Sequence, residues 1–109
     1  MKEEERKILE CAARAAGLNP LGSINGRFVV KNGPNPADDF DPYDWNPLTD
    51  DGDAFRLMVE LRLNVFQAAS CSCAVDEEAE TETRVEGCNA EKVRHAITLA
   101  AARLGGYDK

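Results

Sequence analysis

Three thiols and one imidazole fall in the second half of the chain: Cys71 and Cys73 flank Ser72, and Cys88 and His95 follow. Thiolates and imidazole are the donors that zinc takes in tetrahedral sites, so these residues form a ligand set on paper. Their spacing argues against one. The pair is Cys-x-Cys and lacks the two-residue separation of a zinc knuckle. His95 falls on the helix face opposite Val93, Ile97 and Ala100, where Glu91, one turn earlier, is its expected neighbour. A disulfide between Cys71 and Cys73 would strain a strand. The two cysteines therefore read as small apolar core residues, with zinc binding through the pair as the alternative. A cysteine nucleophile needs a nearby base and an electropositive setting, and the one histidine here lies among acids. No GxSxG, HExxH, Walker or GxGxxG pattern occurs. The expectation is a non-catalytic protein without a cofactor or an evident small-molecule substrate.

The carboxylates are more informative. Between Asn32 and Phe55 stand Asp38, Asp39, Asp41, Asp44, Asp50, Asp51 and Asp53, without a single Lys or Arg, so this segment alone carries the net charge of -7 of the whole chain. An EF-hand ordering fails, because Gly52 at its glycine position would put Pro47 and Met58 where the terminal ligands belong. Thr49 or Asp50 can cap a helix that starts here, and Asp50, Asp51 and Asp53 place negative charge near the positive end of its dipole. The other four flank Phe40, Tyr43 and Trp45. Asp38, Asp39, Asp41, Tyr43, Asp44 and Trp45 thus become the candidate partner-binding residues of an acidic-aromatic strip, the plain alternative being a solvated loop.

Acidic residues outnumber basic ones 20 to 13. A phosphate backbone is met by clustered Lys and Arg, so nucleic acid is not expected as a ligand, nor an anionic membrane surface. A basic protein surface is the expected partner. The 109 residues suit one domain with one modest core, and no run of about 18 apolar residues exists to span a membrane. The chain opens on MKEEERK with no apolar stretch of the kind a secretory signal needs. Reduced cysteines in the cytoplasm are the corresponding expectation.

Periodicity supplies the elements. Ile8, Leu9, Ala12 and Ala16 predict a helix from Glu3 to Ala16, with Gly17 beyond its end. Residues 19–26 are turn-formers, and Phe28, Val29 and Val30 read equally as a very short strand or a loop anchor. Residues 32–49 form a long Pro- and Asp-rich loop, in which Pro34, Pro36, Pro42 and Pro47 forbid a helix and Trp45 is expected against the core. A second helix is predicted from about Asp50 to Leu61 on Ala54, Leu57, Met58 and Leu61. The period then falls to two. Leu63, Val65, Ala69, Cys71, Cys73 and Val75 share one parity, read as the buried face, and a break near Ala68–Ser70 makes two antiparallel strands. Asp76–Glu80 connects them to a third, polar strand at Thr81–Glu86 suited to a sheet edge. A final helix is capped by Asn89, carries Val93, Ala96, Ile97, Ala100 and Leu104, and stops at Gly105-Gly106. The predicted class is α+β: a single small domain, residues 1–109, with a three-stranded antiparallel meander covered by two or three helices. The order is helix, long loop, helix, three strands, helix.

The stretch DPYDWNPLTDDGDAFRLMVELRLNV, from Asp41 to Val65, resembles a group of small phage and prophage proteins whose domain is described as a phage ABA (α/β/α) sandwich. The similar parts are Trp45-Asn46-Pro47, the Asp50-Asp51 helix start, the apolar second helix, the meander and the alanine-rich last helix. The resemblance implies an accessory protein of a phage or integrated prophage and brings no catalytic residues with it.

Overall fold

Glu3, Glu4 and Glu5 place negative charge in the first turn of a helix and Arg14 places positive charge in its last, as the helix dipole favours. That helix, α1 (Glu3–Ala15), buries Ile8, Leu9, Ala12 and Ala13. The computed structural model describes residues 2–31 and 42–107. Gly17 takes the left-handed conformation after the helix, with φ of 80°, and the Leu18 amide bonds back to the Ala13 carbonyl.

The turn-forming residues that follow are part of a hairpin. β1 (Asn19–Ile24) pairs antiparallel with β2 (Arg27–Lys31), and Ile24 faces Arg27 across Asn25-Gly26. Asn25 and Gly26 both have positive φ, 53° and 78°, which is the two-residue turn that Asn-Gly favours because it matches the twist of paired strands. Pro20 is tolerated since β1 is an edge strand, and the register slips between Pro20 and Gly22. Phe28, Val29 and Val30 are all buried, so this segment is a strand and part of the core. The long loop contributes a third strand of its own, β3 (Tyr43–Asp44), paired with Val29 and Val30. Residues 32–41 of that loop lie outside the described residues.

α2 (Asp51–Glu60) starts where Asp50 accepts the Asp53 amide at 3.1 Å. The meander follows as β4 (Asn64–Gln67), β5 (Cys71–Asp76) and β6 (Thr81–Glu86), a second three-stranded antiparallel sheet. α3 (Ala90–Leu104) closes the order, with Asn89 accepting the Lys92 amide at 2.9 Å. Among the described residues the architecture is therefore α+β, with three helices and two three-stranded antiparallel sheets.

One expectation is corrected inside the meander. Ser72 and Ala74 are buried, while Cys71 and Cys73 are only half-buried. Across the β4–β5 turn Val65 pairs with Ala74 and Gln67 with Ser72, so an odd-numbered residue always faces an even-numbered one. The buried face thus moves from odd positions in β4 to even positions in β5, and returns to odd at Thr83 and Val85. A single parity read through the turn puts β5 the wrong way round. Ser72 is accommodated in the interior because its hydroxyl donates to the Gly87 carbonyl at 2.7 Å.

α3 lies at the centre. It packs on β5 and β6 on one side and on α1 and α2 on the other, while α1 in turn meets β1 and β2. A helix enclosed on two sides must be thin, and Ala96, Ala100, Ala101 and Ala102 make it so. The approach is closest at Gly105, where an added Cβ would overlap the Cys11 carbonyl of α1. The φ of Gly105 is not left-handed, so the glycine is required for space alone. Gly105→Ala should destabilise by about 3 kcal/mol, the upper part of the range for overpacking, since two backbones must separate. Trp45, 5% exposed and 6.3 Å from Phe28 between ring centroids, should cost about 3–5 kcal/mol as Trp45→Ala. Thermal or denaturant melts read both. A loss below about 0.5 kcal/mol at Gly105 would mean that the helices slide apart freely.

Candidate functional site

The acidic-aromatic strip is largely taken up by the fold. Trp45 packs into the core beside Phe28, and its amide donates to the Phe28 carbonyl at 3.0 Å, so little of it is left for a partner. Asp50 caps α2. Asp53 is buried, accepts the Asn46 amide at 2.9 Å and pairs with Arg56 at 2.7 Å. Asp51 pairs with Arg94 of α3 at 2.6 Å, and the same guanidinium donates to the Leu48 carbonyl at 3.0 Å. Asp44 meets Arg27 across the β2–β3 ladder at 3.2 Å, in water, where such a pair contributes little. Three of the aspartates therefore have an arginine partner, and all three partners lie outside the aspartate-rich stretch of sequence. Tyr43 and Asp44 are exposed. Burial first, then the Asp53 carboxylate, pushes the Tyr43 phenol above its ordinary value, and Arg56 offsets part of this. Asp38, Asp39 and Asp41, with Phe40, lie outside the described residues.

The thiols are dispersed. Cys71 and Cys73 face away from α3 on the open side of the sheet, which replaces their expected place in the core. Cys11 is half-buried on α1, and Cys88 is exposed beyond β6. His95 is half-buried rather than solvated, and lines a shallow cleft with Glu5, Leu48 and Glu91. Among the described residues no group of three or more His, Cys, Asp or Glu side chains is arranged to hold a metal ion.

What the fold leaves open is a groove of about 440 Å³ between α2, α3 and β4. Phe55 and Met58 line it from α2, Val65 and Gln67 from β4, and Val93 and Ile97 from α3, with the Asp51–Arg94 pair beside them. Phe55 is 61% exposed and Val59, one turn on, 56%. Side chains of this size are ordinarily covered when they cluster, and clusters left bare mark interaction surfaces. β4 is an edge strand. The Ala68 amide donates to the Cys71 carbonyl, and the alternation of an antiparallel ladder then turns the main-chain N–H and C=O of Val65 and Gln67 off the free edge, alongside the groove. On the opposite face of the same strand Phe66 is 58% exposed. The signal for this site in the sequence is Phe55, an apolar residue beside the stripe of Ala54, Leu57, Met58 and Leu61, which by itself reads only as a wider stripe.

In comparisons with known proteins, no family model, no curated protein and no solved structure matches the chain.

The groove is held at its α2 side by the Asp53 carboxylate, which ties the loop at Asn46 to the first turn of the helix. Asp53→Ala removes an acceptor from the half-buried Asn46 amide and from Arg56, so a loss of about 1.5–3 kcal/mol is expected, as for hydrogen bonds to a charged group. Chemical denaturation measures it, and a loss below about 0.5 kcal/mol would show that α2 is positioned by its apolar face alone.

Proposed function

We propose that the chain is a non-catalytic protein-binding domain that takes an extended segment of a basic partner along β4. The observation that carries this reading is the apolar groove lying beside an edge strand whose outward main-chain groups are those of Val65 and Gln67. Strand addition draws affinity from main-chain hydrogen bonds and specificity from pockets for alternate side chains, and a groove between a helix and an edge strand supplies both. Charge selects the partner. The net charge is -7, and the acidic connection from Asp76 to Glu80 lies at the Asn64 end of β4, since Asn64 pairs with Val75. A basic segment entering there would be steered by that field, and salt would weaken the encounter. The same field repels a phosphate backbone. With four free cysteines, the domain would act in the cytoplasm, as the phage or prophage accessory role implied by the sequence resemblance also requires.

Immobilised protein in a bacterial lysate should retain a partner that salt elutes, and the mobility of DNA and RNA should be unchanged by the protein. Phe55→Ser should lose the partner with little change in melting, because Phe55 is exposed. Glu77, Glu78 and Glu80 changed together to Gln should release it at lower salt. The reading fails if Phe55→Ser retains the same partner at the same salt.

A further inference from the structure

We infer that Cys71 and Cys73 form a two-thiolate site for a soft monovalent cation, Cu(I), on the open face of the β4–β5–β6 sheet. Ser72 and Ala74 face inward and are buried, so the two cysteines between and beside them share the outer face, half-buried and open to solvent. Residues two apart on a strand have Cα atoms roughly 6.5–6.8 Å apart. That is the far limit of the disulfide range, about 4.4–6.8 Å, so an S–S bond of about 2 Å would have to bend the strand. An ion bridging the sulfurs inserts two bonds of about 2.3 Å each in place of one, and the unbent strand accommodates that span.

The donor set selects the ion. Zinc in a structural site takes four ligands, whereas here two thiols stand together, and among the described residues no third ligating group joins them. Soft thiolates in low coordination favour Cu(I) over harder or tetrahedral ions. Arg84 stands directly opposite Cys73 on β6, and Phe66 opposite it on β4. The guanidinium pairs with Glu82 at 3.2 Å, and the neighbouring Cys73 raises its affinity for the proton. It would offset the negative charge of a bis-thiolate, while Phe66 keeps one flank apolar. Glu86 faces Cys71 across the ladder, and Glu82 faces Val75, two positions beyond Cys73. Burial and the neighbouring Cys73 thiol push the Cys71 thiol up. Binding then releases two protons: Cu(I) and two thiols give a bis-thiolate complex of charge -1 and two protons, with no change of oxidation state.

The site lies on the sheet face away from the α2–α3 groove, so it stands or falls independently of partner binding. The test is an anaerobic titration of the reduced protein with Cu(I) in competition with a chromophoric Cu(I) chelator. Wild type should withhold one Cu(I) per chain, and the double variant Cys11→Ser/Cys88→Ser should withhold the same amount. Loss of an outer-shell partner already costs a metal site tenfold or more, so Cys71→Ser and Cys73→Ser should each lose at least about a hundredfold in affinity while melting like wild type. Arg84→Ala should weaken binding several-fold. Retention of Cu(I) by Cys71→Ser, a requirement for Cys88, or stoichiometric zinc taken by the pair in preference to Cu(I) would overturn the assignment.

Discussion

Two helices can bring their backbones together only where neither carries bulk, and the α1–α3 contact is built on that condition. Ala12 and Ala13 on one side and Ala100, Ala101 and Ala102 on the other are fully or nearly fully buried, and Gly105 admits the Cys11 carbonyl where even a methyl group would not fit. Everything else is arranged around this approach. The β1–β2 hairpin meets α1 and the meander meets α3, so the distance between the two sheets is set by how thin the helical layer is. Alanine contributes little transfer energy per residue, and the gain lies in close packing over the whole contact. Thr98 shows how strict the constraint is, for it is fully buried and keeps its hydroxyl satisfied by bonding to the Arg94 carbonyl in its own helix at 2.7 Å.

Around this apolar centre the acidic residues have structural uses that composition alone does not disclose. Asp53 is buried with two partners, as a charge removed from water must be. Arg94 reaches from α3 to the Leu48 carbonyl and to Asp51, and so fastens the irregular segment after Trp45 to both helices. Arg94 is only 19% exposed, but the Asp51 carboxylate that it holds at 2.6 Å is 81% exposed and screened by water, so the bond to the Leu48 carbonyl is the better-shielded of the two tethers. The acidic stretch is thus partly a set of tethers, and the exposed apolar residues near the groove are Phe55 and Val59 on α2 and Phe66 on β4.

Much of this was legible in the residues. The three helices, their caps at Asp50 and Asn89, and the three-strand meander follow from periodicity and capping chemistry, because each is a local signal. The first sheet was not, although Asn25-Gly26 is a strong hairpin turn, since the flanking strands carry Pro20 and Gly22 and show no alternation to accompany it. Parity in β5 was missed for a different reason: the face a strand presents depends on the length of the turn before it, and one residue reverses it. That single step moves Cys71 and Cys73 from the core to an open sheet face. The groove was illegible because α3, distant in sequence, closes over the neighbouring α2 and β4, and Arg94, which borders it, has no local pattern to distinguish it from a fully exposed helical arginine.

The two edges of the meander are treated differently. β6 carries Glu82, Arg84 and Glu86 on its outer face, charges of the kind that keep an edge from pairing with another chain. β4 reads Asn-Val-Phe-Gln, with no charge, no proline and an exposed phenylalanine. Such an edge invites self-association unless something opposes it. Net charge does so at a distance, since two copies at -7 repel before their edges meet, with a screening length of about 8 Å at physiological salt. A basic segment meets no such barrier. On the proposed reading, acidity that opposes self-pairing and a bare edge that would admit a strand are complementary. Together they would leave the edge closed to its own kind and open to a partner of opposite charge.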